Sequence, residues 1–465
     1  SFLGQILGSG KKAPFYRVLV KDKKLTSRAG VYNRASELAG KFQISVNAFP
    51  GTSLADVEAA IAEAFYLFES EGITERDLEK IKAGKETSFY NGISSVMGKS
   101  FQLARYNEYA GDPGFVTTDL SNMQAVTVDD VMRVYEKYIK GKPFIASSFV
   151  PKGGLDLVAE GSVDAGIVEE NILEATEVDQ SQFTEEELIV KTETSFDRSV
   201  MPEIGPDPEI TLPEIWTAGL ENGVKIWGIK HDEVPLVQFS LIIDGGHLLE
   251  NPDKAGTASL MANIMNEGTA NKTPEELEEE IDLLGSSISI SGGSESISIR
   301  GNTLARNFEK TIELLKEMLL EPRWDEEEFE LAKESRINSF PRNKANPGYM
   351  ASKTLNDLKY GKGHVLSVPA GGTEETVPGV TIEDLRAFYN KNISPTLAKF
   401  HVVGDIEKDR VLAALAGIEE EWEPKDVVMP EITIPENPKK SQIYFVDFPG
   451  AKQSVISIGN ISIPK

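Results

Sequence analysis

Few side chains in this 465-residue chain have both the type and the spacing for chemistry. The four histidines are His231, His247, His364 and His401, and no two stand three or four residues apart, so no single helix can present a histidine pair to a metal ion. His231-Asp232-Glu233 gathers three metal-ligand types in a row between two strand-like runs, where a polar turn is the simpler reading. Cysteine is absent, which removes disulfides, thiolate metal sites and cysteine nucleophiles. Acidic residues are too many for a paired-carboxylate or Ser-His-Asp assignment to be read from sequence. The glycine-rich stretches GSGKK at Gly8 and PAGGTEET at Pro369 lack the spacing of a phosphate loop and read as turns.

Composition is that of globular protein, 40% hydrophobic and 26% charged, long enough for about three domains. With 48 Lys or Arg against 74 Asp or Glu, the net charge of −26 opposes phosphate backbones and anionic membranes, so no nucleic-acid partner is expected. Nor is a membrane span, since no apolar run approaches the roughly 18 residues one needs. The opening SFLGQILGSGKK carries no basic leader and suggests a chain already processed or cut. Much of the acidity lies between Gly153 and Glu209, with 16 Asp or Glu against Lys191 and Arg198. This stretch reads as a solvated linker, with TEEEL as a short helix start.

The elements that would position a site recur. TVDDVMRVYEKYI at Thr127 and TIEDLRAFYNKNI at Thr381 share a threonine cap, first-turn acids and matching apolar and tyrosine positions. Upstream, DVEAAIAEAFYLFESEGITERDLEKIKAGK aligns with NFEKTIELLKEMLLEPRWDEEEFELAKES, Val57 on Phe308 and Leu78 on Phe329. Both read as two helices with a turn between. Before each lies an alternating strand, around Ile44 and Ile297. The second copy alone has a full opening, IWTAGLENGVKIWGIKHDEVPLVQFSLIIDGG, in which Asn222-Gly223 signals a type I′ hairpin. QIYFVDFPGAKQSVISIG near the end reads as another such strand-turn-strand. The fold expected is α+β: repeated αβ domains, each an antiparallel-rich sheet with helices packed on one face. Residues 1–150 form one truncated domain, 151–213 an acidic linker, 214–432 a complete domain, and 433–465 the first strands of another. The chain is expected to be a piece of a longer protein.

The run from FDRSVMPEIGPDPE through LIIDGGHLLENPDKAGTASLMANIMNEGT resembles the pitrilysin and insulinase family of zinc peptidases, the inverzincins. EPRWDEEEFELAKES matches the approach to that family's glutamate-bearing helix, and GITERDLEKIKAG and AVTVDDVMRVYEKYI match its non-metal domain. The resemblance implies four αβ domains in two halves that close as a clamshell on a peptide. This chain would span the second domain, the linker, the third domain and the start of the fourth, with peptide substrates and the remaining domains as its partners. Zinc would be held by an H-x-x-E-H helix, with histidines one turn apart as ligands and glutamate as base. On GTASLMANIMNEGT the histidine positions are Ser259 and Asn263, the base position is Ala262, and the later glutamate ligand would fall near Ile337, Asn338 and Ser339. None of these can serve, so no catalytic residue, metal ligand or cofactor is expected in this segment, and zinc is expected in a domain upstream. Met261, Ile264 and Met265 are expected in the core. The implied activity is that of the non-catalytic part of a zinc metalloendopeptidase, with an inactive scaffold or partner subunit as the alternative. A periplasmic or secreted bacterial setting is the expectation for its location.

Overall fold

The computed structural model describes residues 1–166, 197, 199–201, 205, 209, 211–451 and 453–462. Most of the acidic linker, including TEEEL, lies outside the described residues.

The first unit opens with α1 (Phe2–Gly8) and a π-helical turn at Tyr16–Asp22, then strands β1 (Thr26–Arg34) and β2 (Lys41–Ala48). Helices α2 (Leu54–Glu71), α3 (Glu75–Gly92), α4 (Val96–Ala110), α5 (Val116–Gln124) and α6 (Val128–Tyr138) follow. β1 and β2 pair antiparallel as a two-stranded sheet. Leu7, Phe15, Leu19, Val57, Phe68, Leu78 and Tyr135 bury against one another beside it.

The second unit carries β3 (Trp216–Gly219), β4 (Lys225–Lys230), β5 (Leu236–Asp244), α7 (Thr257–Ile264), α8 (Pro274–Leu283), β6 (Ser287–Gly292) and β7 (Ser296–Leu304). Next come α9 (Phe308–Leu320), α10 (Glu326–Lys344), α11 (Pro347–Tyr360), α12 (Ile382–Asn392), β8 (Ala398–Gly404) and α13 (Lys408–Glu421). The six strands order β3-β4-β8-β5-β7-β6, and only the β4–β8 pair is parallel. Alternation decides the faces. Val237, Phe239, Leu241 and Ile243 of β5 are buried under the helices, while Gln238, Ser240, Ile242 and Asp244 point the other way. The observed fold is α+β, as expected.

The helix grammar read from the sequence is present. Thr127 and Thr381 each form a capping box, with Asp130 and Asp384 respectively. Tyr135, buried, and Tyr389, half-buried, stand eight residues on in each copy and donate their hydroxyls, to Glu69 at 2.6 Å and to the Leu319 carbonyl at 2.7 Å. Val57 and Leu78, like Phe308 and Phe329, are buried.

Two expectations need correction. The β3–β4 turn is not a two-residue type I′ hairpin on Asn222-Gly223. Gly223 N–H donates to the Leu220 carbonyl at 3.0 Å, so Glu221 and Asn222 are the turn centre, and Gly223 follows with φ +107°. The Asn222 amide is drawn instead to the end of α13, where it donates to the carbonyls of Ile418 and Trp422. The strand-turn-strand expected at the end of the chain does not pair: the described residues from 433 to 462 form no strand, and Ile443 and Ile458 are 98% and 93% exposed. A strand pair needs a sheet to shelter its apolar side, and none takes it up here.

The units meet through α3 and α8. The Thr87 hydroxyl donates to the Gly285 carbonyl at 2.6 Å in a buried contact. Around it, basic groups of the first unit face the acids of α8 and its neighbours: Lys12 and Arg76 pair with Glu279, Lys21 with Glu275 and Lys11 with Glu267. Arg306 returns the exchange with a bidentate pair to Glu86. Among the described residues, no helix is long and apolar enough to cross a membrane.

Candidate functional site

The site at issue is built on α7. This short helix has no side-chain cap of its own at Gly256. Its amide ends are satisfied by Glu250, which accepts from Gly256 N–H at 3.0 Å and Ala258 N–H at 2.5 Å. Glu250 is in turn held by His247, whose Nδ1 lies 2.5 Å from its carboxylate and whose Nε2 lies 3.1 Å from the Val365 carbonyl. Both side chains are almost fully buried. The pair acts as a buried clip that fixes where α7 starts.

Along α7, Met261, Ala262, Ile264 and Met265 are fully buried, as their helical spacing requires. Ala262, expected at the base position, is packed into the core, and its carbonyl accepts from the Asn266 amide at 2.7 Å. Ser259 and Asn263 stand one turn apart. Ser259 is buried and Asn263 half-buried.

Across from them runs α10, started by Asp325, which accepts from the amides of Glu327 and Glu328. Ile337 packs on the core, and the Ser339 hydroxyl bonds back to the Arg336 carbonyl. The side chain from α10 that reaches α7 is Arg336, whose Nη2 donates to Ser259 Oγ at 3.2 Å. Burial holds the Arg336 guanidinium below its ordinary pKa, and no carboxylate counters that. Among the described residues it forms no ion pair. Its place depends on Gly371, where a Cβ would overlap Nη1.

This donor set does not fit zinc. A hydroxyl and an amide stand where zinc selects imidazoles, a methyl stands at the base position, and a guanidinium cation lies where a second cation would be repelled. Among the described residues, no group of three or more His, Asp or Glu is placed to hold a metal ion. The His231-Asp232-Glu233 turn is exposed, with His231 3.9 Å from Glu233, which also pairs with Lys99. His401 stacks on Trp227 and is pulled below its ordinary pKa by burial and by Lys399. His364 stacks on Tyr360 and bonds the Thr433 carbonyl at 3.0 Å.

Beyond Arg336 along α10, a cleft of about 550 Å³ opens against α11 and the loop after Gly371, lined by Phe340, Lys344, Tyr349, Lys353 and Thr373 among others. Sequence reasoning missed Glu250, His247 and Arg336. For Arg336 a signal existed: a basic residue stands next to positions where an acidic ligand was sought. The clip had none, because Glu250 and His247 acquire meaning only when the loop folds back onto α7.

Comparison with known proteins places these elements in context. The description "Insulinase (Peptidase family M16)" matches residues 229–363, and "Peptidase M16 inactive domain" matches 1–85 and 379–464, together well over half of the chain. The inactive-domain match from 379 takes in α12, β8 and α13, which here share one sheet and core with the elements of 229–363. An uncharacterized zinc protease of Rickettsia felis is 23% identical over 197 residues, 42% of this chain and 47% of that protein. The "Non-peptidase homolog YmxG" of Helicobacter pylori is 25% identical over 184 residues, 39% of this chain and 42% of that one. The chain thus spans about half the length of the curated relatives it matches. Among solved structures, a peptidase M16 inactive domain from Pseudomonas fluorescens aligns with TM-score 0.46 and 23% identity, covering 49% of this chain and 55% of that one.

Proposed function

Because the chain belongs to the insulinase family of peptidases, family M16, we propose that it forms the non-catalytic wall of a zinc metalloendopeptidase whose metal is held by another domain of the whole protein. The division of labour follows the sequence: residues 1–150 are the second domain, 151–213 the linker, 214–432 the third domain and 433–465 the start of the fourth. Ser259, Ala262 and Asn263 are the vestige of an H-x-x-E-H helix. The observation that carries the reading is the contact of Arg336 with Ser259, which sets a fixed positive charge beside a ligand position and turns a metal helix into packing. The wall's contribution to catalysis is geometric: it encloses a peptide against the metal-bearing half, limits water and holds the peptide in one orientation.

The test is made on the full-length protein. Peptide hydrolysis that stops when the glutamate of an intact upstream H-x-x-E-H motif is changed to glutamine supports this reading. Absence of such a motif together with absence of hydrolysis leaves a scaffold subunit as the function.

A further inference from the structure

We infer that the vestigial site on α7 is a receptor for the carboxylate of a bound peptide, with Arg336 as its principal donor and Ser259 and Asn263 beside it. The inference goes beyond the reading above, because it requires only that a peptide reaches α7, whether or not the whole protein cleaves it.

Charge is the first ground. In a chain of net charge −26, several cations of this unit are paired with acids, among them Lys272 with Glu317, Lys254 with Asp384, Arg410 with Glu309 and Lys399 with Asp244. Arg336 is half-buried yet forms no ion pair among the described residues, and among them its side chain hydrogen-bonds only to a neutral hydroxyl. A partly desolvated cation without a counterion gains from one, and a guanidinium has five donors in a planar fork, of which that bond uses one. The group suited to the remaining donors is a carboxylate, taken by two parallel N–H bonds.

Shape is the second ground. Arg336 and Phe340 lie one helical turn apart on α10, and Phe340 lines the cleft of about 550 Å³ that continues to Lys344 and Tyr349. Thr373, two residues after the Gly371 that makes room for the guanidinium, lines the same cleft. The cleft ends one turn short of Arg336 and its lining includes Asp357, Glu374 and Glu375, so a chain lying in it would place its carboxylate at the cation only by extending past Phe340 toward α7. Asn263, half-buried and one turn from Ser259, makes no side-chain hydrogen bond among the described residues. Capture of a carboxylate at a fixed set of donors is a recurring mode of peptide recognition. The substitutions at the ligand positions thus replace a receptor for a cation by a cation that receives an anion.

Calorimetric titration of the whole chain with three short peptides tests this. One has a free C-terminus and no acidic side chain, one is its C-terminal amide, and one is an amide carrying a single aspartate. Binding of the first with loss in its amide assigns the C-terminal carboxylate as the ligand, and binding of the third assigns a side-chain carboxylate. Either supports the proposal if affinity falls about tenfold or more in Arg336→Gln, the loss expected for one charged hydrogen bond. Gly371→Ala guards against misfolding of that variant: it keeps Arg336 but displaces its guanidinium, and the same loss is expected with the circular dichroism spectrum unchanged. Equal binding of acid and amide, no binding of any peptide, or full affinity in Gly371→Ala would overturn it. Binding rather than hydrolysis is read, so failure here leaves the proposed peptidase role standing.

Discussion

In the unit at 214–432, Phe308 and Phe329 anchor the α9–α10 pair against a six-stranded sheet whose Ile297 and Ile299 are essentially unexposed. In the unit at 1–150, Val57 and Leu78 anchor the matching α2–α3 pair, but the sheet beside it has two strands, and Phe42, Ile44 and Val46 of β2 stay half-buried. The helices are nearly interchangeable in design while the foundations are not. A helix pair reaches its full burial only when the sheet beneath it is wide enough to close both edges of the core, so the smaller unit leans on the larger through α3, α8 and their charge pairs.

The largest expected effect separates the two foundations. Phe329→Ala should cost about 3–5 kcal/mol and lower the main denaturation transition, as expected for a large aromatic removed from a closed core. Leu78→Ala, at the aligned position, should cost about 2–5 kcal/mol and show chiefly as faster amide exchange within 1–150. Equal loss of protection in both units from either change would mean that they share a single core.

The junction comes next. Gly285 has φ +60°, and a Cβ there would lie 2.6 Å from the Ala83 carbonyl oxygen. Gly285→Ala should therefore cost about 1–3 kcal/mol through backbone strain and loosen α3 from α8. Limited proteolysis should then release the first unit, and an unchanged cleavage pattern would remove Gly285 from the junction.

A pH dependence sharpens the same contact. Burial, aided by Glu278, lifts the Asp282 carboxyl to about 6 in the fold. The native state then binds more protons than the unfolded one between about pH 4 and 6, so this group's stabilisation is present at the acid end and is lost as pH rises through that window. The difference in stability between the wild type and Asp282→Asn, followed by denaturant titration, should change across that window and level off above it. A flat difference would place Asp282 in water.

The smallest effect tests whether the repeats are equivalent. Thr127→Ala and Thr381→Ala should each cost about 1 kcal/mol, the usual worth of a cap. A markedly larger loss at one would show that its hydroxyl does more than start a helix.

Much of this was legible in the sequence because it is local. A threonine followed three residues later by an aspartate just ahead of an amphipathic run signals a capping box, and helical spacing alone put Met261, Ile264 and Met265 in the core. The turn after β3 was misread because Asn222 is recruited by the distant end of α13, which no local pattern records. The closing strands were misread because alternation predicts a strand without promising it a partner. At the site, the unsuitability of Ser259 and Asn263 as metal ligands was readable from residue type, whereas the contact of Arg336 with Ser259 depends on α10 crossing α7 and on a glycine 35 residues farther along.

The central claim is that α7 is a metal helix turned into a packing element. The most direct measurement is the zinc content of the purified chain after incubation with zinc and exhaustive dialysis. The account predicts no stoichiometric metal, and none gained when Arg336 is changed to glutamine, since Ser259, Ala262 and Asn263 remain poor ligands. One zinc retained per chain, and lost on replacing Ser259 or Asn263, would contradict it.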